Sequence, residues 1–269
     1  ENFERISAID VSHNTQLTTL YCQNNNLMRL DVSRCTQLTR LSCHSNRLRS
    51  LNVSGCTQLT RLSCYSNRLR SLDVSGCTQL TSLSCVDNQL RSLDVSNNTQ
   101  LTKLFCSENK FSSLDVSNNT RLTKLSCSEN RLRSLDISNN RALDTLYCYK
   151  NQLSSLNVSR NTRLKTLQCS ENQLNDLDVS NNTQLTELYY WGNKFTTAAL
   201  DDIYCALPAR QVSDYAQIFP LRDTSSVAEQ AIVEATNASN ATAKNWKVRK
   251  YNGFYNPDIA TTGTYVCGT

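Results

Sequence analysis

The side chains best suited to chemistry in this sequence are its thirteen cysteines and two histidines. Thiolates act as nucleophiles and metal ligands, thiols pair as disulfides, and a histidine serves as a general base. Eight cysteines recur at intervals of 21 residues, with Tyr190 in the next place. They are Cys22, Cys43, Cys64, Cys85, Cys106, Cys127, Cys148 and Cys169. An interval this regular indicates a structural repeat rather than a catalytic centre.

Catalysis has little support in the sequence. His13 lies in an expected outer turn and His44 at a strand edge beside Ser45, and the sequence places no carboxylate to orient either ring. The motifs G-x-S-x-G, H-E-x-x-H, C-x-x-C, G-x-G-x-x-G and the P-loop are all missing from the sequence. The chain is therefore not expected to be an enzyme, and no cofactor or metal ion is expected.

The cysteines belong to a repeat whose template is L-x-x-L-x-C-x-x-N-x-L-x-x-L-D-V-S-x-N-T-x. Leu104 and Cys106 are two residues apart, which is the strand period, so both side chains should point inward from a short strand. Successive strands should pair in parallel, giving nine strand positions from Leu20 to Leu188. The segment between Val116 and Leu122 is too short for a helix, so the opposite side should be mostly non-helical.

Inside such a solenoid the eight recurring cysteines are best interpreted as packed small hydrophobes. Neighbouring Cα atoms would be close enough for a disulfide, but parallel Cβ directions disfavour the required torsion. Free buried thiols are the favoured interpretation, with disulfides or a bound metal as alternatives. A shorter column is expected on the outer side, formed by Cys35, Cys56 and Cys77.

Two polar columns are assigned to the frame of the repeat. The asparagine represented by Asn109 is present in every coil and should satisfy backbone groups at the turn after the strand. The column of Asp115 also accepts asparagine, as at Asn52, which indicates an Asx-type turn rather than a catalytic carboxylate. Gly55 shares its place with asparagines of later coils, which suggests a left-handed backbone position there.

The residues that alternate with the inward leucine and cysteine vary from coil to coil and should face outward. They predict a basic edge, an acidic edge and several exposed aromatic rings between the two. Exposed aromatic and arginine side chains are frequent anchors of protein interfaces, although strands favour aromatic residues in any case. The predicted contact patch comprises Tyr147, Tyr149, Lys150, Tyr189, Trp191, Phe105, Tyr65, Arg40 and Arg61.

The pattern L-x-x-L-x-C-x-x-N-x-L over residues 17–195 matches the leucine-rich-repeat signature. Its 21-residue L-D-V-S-x-N-T form, with a cysteine in the strand, resembles bacterial surface proteins of the internalin J type. The resemblance implies a curved solenoid with a parallel sheet on its concave side, and adhesion or protein binding at the cell surface. The expected partner is then a protein of a host cell or of the extracellular matrix. A glycan ligand and a purely structural spacer are the alternatives.

After Phe195 the template stops and a different pattern begins. Helical spacing follows a cap at Thr196 or Thr197 and ends at Pro208, and a capping box at Ser226 starts a second helix. Strands are expected near residues 217–221 and 247–251. The run F-T-T-A-A-L-D-D-I-Y-C-A-L-P resembles the C-terminal segment of leucine-rich-repeat surface proteins from anaerobic Gram-negative gut bacteria. Cys205 and Cys267 lie outside the columns and are a candidate disulfide.

The predicted organisation is an α/β fold in three parts. A partial N-terminal repeat occupies residues 1–16, the leucine-rich-repeat solenoid residues 17–195, and a small α/β cap residues 196–269. The chain opens at Glu1 in the middle of a repeat, so it is interpreted as a trimmed fragment whose export signal or anchor lies upstream.

Charge and hydropathy limit the partners. A formal net charge of +5 is too small for the usual nucleic-acid-binding footprint, so no nucleic acid is expected. The sequence contains no apolar run long enough to span a membrane. The expected location is extracellular or on the outer cell surface, and the expected state is a monomer.

Overall fold

The computed structural model describes residues 5–253 and 256–267. The chain divides into two compact units, Glu1–Leu132 and Arg133–Thr269. The first unit contains strands β1 to β6, which are Thr19–Tyr21, Arg40–Ser42, Arg61–Ser63, Ser82–Ser84, Lys103–Phe105 and Lys124–Ser126. The second contains β7 to β11, which are Thr145–Tyr147, Thr166–Gln168, Glu187–Tyr189, Gln217–Arg222 and Lys247–Tyr251.

The six strands of the first unit pair in parallel at a constant offset of one repeat. Leu20 lies opposite Leu41, and the same pairing of central leucines continues to Leu104 and Leu125. Each central leucine is buried, while the residues on either side of it are at least partly accessible. Because equal repeat positions are paired, every outward position becomes a row that crosses the strands.

The apolar columns of the repeat form the core of each coil. Leu104, Cys106, Phe111 and Val116 are all fully buried, and the same columns are buried in the coils of the second unit. The coils within residues 5–195 contain short strands joined by turns and bends, and no helix. The predicted fold class, a leucine-rich-repeat solenoid with 21-residue coils and a non-helical side opposite the strands, is confirmed.

The turns opposite the strands are fixed by short polar contacts. The Asp31 carboxylate accepts a hydrogen bond from the backbone N–H of Ser33 at 2.9 Å. This bond lowers the pKa of Asp31, and Asp73 and Asp136 are arranged in the same way. The aspartate column therefore forms the Asx turns that the sequence predicts.

The second cysteine column, which the sequence predicts on the outer side of the coil, has its side chains in the core. Cys35, Cys56 and Cys77 are fully buried, and the thiol of Cys56 lies 3.4 Å from the carbonyl oxygen of Val32. Two consecutive turns, closed by the N–H of Cys35 on Val32 and that of Leu38 on Cys35, bring this position back into the core. In later coils the place is taken by buried asparagines, which are Asn98, Asn119, Asn140, Asn161 and Asn182.

The predicted left-handed position at Gly55 and its counterparts is also wrong. Positive φ angles occur instead at the third residue after the end of the strand, for example 54° at Ser45 and 55° at Glu108. Glycine at residue 55 has another cause, since a Cβ atom there would lie 2.1 Å from the carbonyl oxygen of Ser33. Close approach of neighbouring backbones, rather than backbone conformation, therefore explains this glycine.

In the second unit the parallel sheet continues from the coils into the C-terminal segment. Strand β10 pairs with β9, placing Phe219 opposite Tyr189, and β11 pairs with β10. Between these strands lie helix α1 (Thr197–Ala206), a 3-10 turn (Val212–Asp214), α2 (Val227–Glu234) and α3 (Ser239–Thr242). The C-terminal segment is thus a small α/β cap that uses the strand pairing of the coils.

Both longer helices of the cap begin at the residues predicted from the sequence. The Thr196 hydroxyl accepts the N–H of Ala199, and the Ser226 hydroxyl accepts that of Glu229. The predicted capping box is only half formed, because the Glu229 carboxylate accepts the N–H of Gly192 at 2.7 Å. Farther along the chain, Cys205 and Cys267 are joined by a disulfide, with their Cα atoms 5.5 Å apart.

Candidate binding face

The candidate site is the strand face, the surface formed by the outward rows of the sheet in each unit. Asn109 illustrates how its edge is held. Its Nδ2 donates to the carbonyl oxygens of Cys85, Cys106 and Ser107 at 3.0 to 3.2 Å. Its Oδ1 accepts the N–H of Leu90 at 3.0 Å. One amide therefore joins two coils immediately beyond the strand, which fixes the spacing of the outward rows.

The residue that ends the turn after each strand has a left-handed backbone conformation. Ser45, Asp87 and Glu108 have φ between 52° and 55°. Serine, acidic and basic residues all occupy this place, and the N–H of Asp87 donates to the carbonyl of Ser107 in the next coil. Because the hydrogen bond uses only backbone atoms, the side chain is left to vary.

The strand face of the first unit has a basic row. Arg40 lies in register with Arg61, and Lys103 lies in register with Lys124. All four side chains are exposed. The sequence predicted this basic edge, and the register puts both arginines on adjacent strands about 4.8 Å apart.

Two predicted aromatic contacts of the first unit are only partly available. The Tyr65 ring stacks on His44, with ring centroids 4.0 Å apart and planes inclined by 9°. The Tyr65 hydroxyl lies 3.2 Å from His44 Nε2, and burial lowers the pKa of His44. Phe105 is half-buried in its strand. This histidine is therefore a packing partner of Tyr65.

The strand face of the second unit presents tyrosines in register. Tyr147 and Tyr189 lie on either side of Gln168 across strands β7, β8 and β9, and all three are half-buried. Tyr149 is half-buried as well, and Lys150 Nζ lies 6.0 Å from its ring centroid. Burial, together with Glu187 and Asp144, raises the pKa of Tyr147, so its hydroxyl remains protonated.

Trp191 does not belong to an exposed patch as predicted, because it is only 5% exposed and its ring is not accessible to a ligand. Its ring stacks on Tyr251 of β11 with centroids 5.0 Å apart, and it meets Tyr189 edge to face. Tyr189 also stacks on Phe219 of β10, with centroids 4.4 Å apart. The two cap strands continue the strand face and place rings against the last coil.

Sequence reasoning missed Phe219 and Tyr251 as members of this aromatic cluster. Phe219 is fully buried and Tyr251 half-buried, and the pairing of β10 with β9 brings Phe219 beside Tyr189. The available signal was the strand expected near residues 217–221, which contains Phe219. Recognising the cluster required knowing that this strand joins the sheet of the coils.

The thiols of the cysteine columns have low reactivity. All eleven cysteines outside the disulfide are free and buried. Burial raises the pKa of Cys85 and Cys127 to about 12 and that of Cys22 to about 11. A thiol with such a pKa holds almost no thiolate near neutral pH, so it is a poor nucleophile and a poor metal ligand.

Two further searches concern the described residues only. No cluster of three or more His, Cys, Asp or Glu side chains in these parts of the chain is arranged to hold a metal ion. None of the helices there has the length and apolar character needed to cross a bilayer.

Comparison with known proteins gives structural relatives. No family model and no curated protein sequence matches the chain. The structure resembles the functional domain of internalin J from Listeria monocytogenes, which includes a cysteine ladder. The two share 30% identity at a TM-score of 0.64, over 91% of this chain and 62% of the other. The chain therefore spans less than two thirds of this relative.

Two other solved structures support the same fold. An internalin, InlF, from Listeria monocytogenes is 25% identical to this chain and has a TM-score of 0.66. The match covers 69% of this chain and 58% of the InlF chain. A leucine-rich-repeat protein of Leptospira interrogans gives a TM-score of 0.71 at 18% identity, over 91% of this chain and 69% of its own. The chain is thus similar to these leucine-rich-repeat proteins, and its own repeat template and buried cysteine columns form a leucine-rich-repeat solenoid with a cysteine ladder.

Proposed function

We propose that this protein is a non-catalytic binding module that attaches to a protein ligand through its strand face. The observation that carries the proposal is the contrast between the buried and the outward positions of each coil. Buried leucines, cysteines and asparagines repeat almost unchanged, while the outward rows carry basic, acidic, hydroxyl and aromatic side chains that change along the stack. A constant core beneath variable outward rows supports the proposal that the strand face binds a ligand.

The half-buried tyrosines of the second unit are the proposed anchors. Tyr147 and Tyr189 are in register on either side of Gln168, about 10 Å apart across two strand spacings. Tyrosine offers a rigid apolar ring and a polar tip, which suits the centre of a protein interface. Tyr149 and Lys150 extend the proposed patch, whereas the buried Trp191 supports Tyr189 from within the cluster.

The similarity to internalins supports an adhesive role at a bacterial surface. We assign binding to residues 17–195, and protection of the last coil to residues 196–269. We place the protein outside the cell, as a monomer that binds a host-cell or matrix protein. A spacer that only projects another domain is the competing function. It requires no aromatic anchors on the strand face.

The test is the triple substitution Tyr147→Ser, Tyr149→Ser and Tyr189→Ser. Serine already occupies the corresponding repeat positions at Ser126, Ser128 and Ser63, so the coils should accept it. The control is Tyr21→Ser, which removes a tyrosine from the same row of the first coil, where it is 61% exposed.

Attachment to host cells and to a panel of matrix proteins is measured for both variants, with thermal unfolding as the check on folding. We expect the triple variant to lose about tenfold or more in affinity and the control to bind like the parent. Unchanged attachment by a folded triple variant would favour the spacer.

A further inference from the structure

We propose a second ligand site on the first unit, where a sulfated polysaccharide lies along the basic row of Arg40, Arg61, Lys103 and Lys124. The site goes beyond the protein-binding patch proposed above, because it uses none of those tyrosines. It also concerns a different chemical class of ligand. Three features of the described residues support the site: the register of the strands, the lack of ion pairs along the row and the side chains beside it.

The four cations repeat in a fixed spatial order. Arg40 and Arg61 are in register, Ser82 follows, and Lys103 and Lys124 are in register after it. With about 4.8 Å between neighbouring strands, the row extends roughly 19 Å across the sheet. A linear ligand perpendicular to the strands would meet a pair of charges, a gap and a second pair.

The four cations form no ion pair with a residue that the structure describes. Like charges directly opposite each other in a sheet repel, and an anion placed between them removes that repulsion. A sulfate group has several acceptor oxygens and can bridge two guanidinium groups, which donate in a planar fork.

Hydroxyl groups and stacked rings line the strand face beside the arginines. Ser42 and Ser63 are in register, Ser84 follows them, and all three side chains are half-buried. Beyond this serine row lie His44 and Tyr65, whose ring faces are stacked on each other. Short hydroxyl side chains suit the many hydroxyl groups of a sugar chain, whereas they offer no apolar anchor for a protein partner.

Nucleic acid fits this surface less well. Single strands are held by stacking bases on free aromatic faces, but the facing sides of His44 and Tyr65 cover each other. The opposite edge carries Asp87 and Glu108, both exposed. These carboxylates repel a broad polyanion and confine a narrow one to the basic row.

The experiment measures binding of a heparin oligosaccharide by calorimetry at two salt concentrations. The test variants are Arg40→Ser/Arg61→Ser and Lys103→Ser/Lys124→Ser, which copy the serine found naturally at Ser82 of the same row. The control, Arg49→Ser/Arg70→Ser, removes the same charge from exposed arginines of another column, in which Ser112 already occurs. Hyaluronate, polyglutamate and duplex DNA are the comparison ligands.

We expect each test variant to weaken heparin binding by about tenfold or more and to lower its salt dependence, while the control changes affinity by less than about twofold. No heparin binding, equal losses in test and control variants, or equal binding of polyglutamate or DNA overturns the proposal. Equal binding of hyaluronate overturns the requirement for sulfate. The tyrosine variant of the second unit should keep full heparin affinity, so failure of one proposal is distinguishable from failure of the other.

Discussion

The side-chain Nδ2 of Asn109 lies 3.0 Å from the carbonyl oxygen of Cys85, a residue 24 positions earlier in the chain. The bond joins two successive coils at the end of their strands. Asn46, Asn67, Asn88 and Asn130 make the equivalent contact in the first unit. The stability of the strand face therefore depends on buried amides that no ligand would touch.

Replacing Asn109 by alanine should destabilise the protein by at least about 1–3 kcal/mol. The change removes the donors to three carbonyl groups and leaves the N–H of Leu90 without its acceptor. Urea denaturation measures the effect. Asn97→Ala is the control, because Asn97 is exposed. A midpoint equal to that of the parent would contradict the role assigned to the amide.

Alkaline pH should destabilise the protein through its buried thiols. Burial raises the pKa of Cys85 to about 12 from the ordinary 9.0. The neutral thiol is therefore favoured in the folded state. This contribution is complete below pH 9 and is lost as pH rises toward 12. The urea midpoint measured across that range should fall.

Thiol labelling gives an independent check of the same columns. Near neutral pH most of the free cysteines should react only after denaturation, because buried neutral thiols neither ionise nor meet the reagent. The denatured protein, labelled in parallel, supplies the reference. Quantitative labelling of the native protein would show that the columns are open to solvent.

Gly55→Ala should cost about 1–3 kcal/mol in unfolding free energy, because neighbouring backbones would have to separate. The new Cβ would lie 2.1 Å from the Ser33 carbonyl oxygen, compared with 2.8 Å from that of Ser54 for Gly76→Ala. The second substitution should therefore be milder. Arg34→Ala, at the exposed counterpart in the preceding coil, serves as control and should change stability little. Equal midpoints for all three variants would rule out the close-approach explanation.

The sequence predicted the solenoid well because its information is local and repeated. Leu104 and Cys106 alternate with variable residues in every coil, so the strand, its inward side chains and its parallel neighbours follow from one template. The helix starts at Thr196 and Ser226 were predicted for the same reason. Each is marked by a hydroxyl residue at the N-terminal boundary of an apolar helical pattern.

The errors concern positions whose environment is set by distant residues. Trp191 occupies an outward place in its coil, but Tyr251, far along the chain, packs on its ring. The left-handed residues Ser45 and Glu108 are not residue types that indicate a positive φ. Their conformation goes with backbone hydrogen bonds between coils. The burial of Cys56 was not predicted, because the two turns that bring it into the core have no distinct residue signature.

The pairing of β10 with β9 also bears on how such proteins diversify. Gln217, Ile218 and Phe219 align with Glu187, Leu188 and Tyr189 in the register that one coil uses for the next. The terminal segment thus pairs with the last coil in the backbone register that the coils use among themselves. Duplication or deletion of a complete 21-residue module upstream would keep this junction unchanged. The length of the strand face can therefore evolve independently of its C-terminal closure.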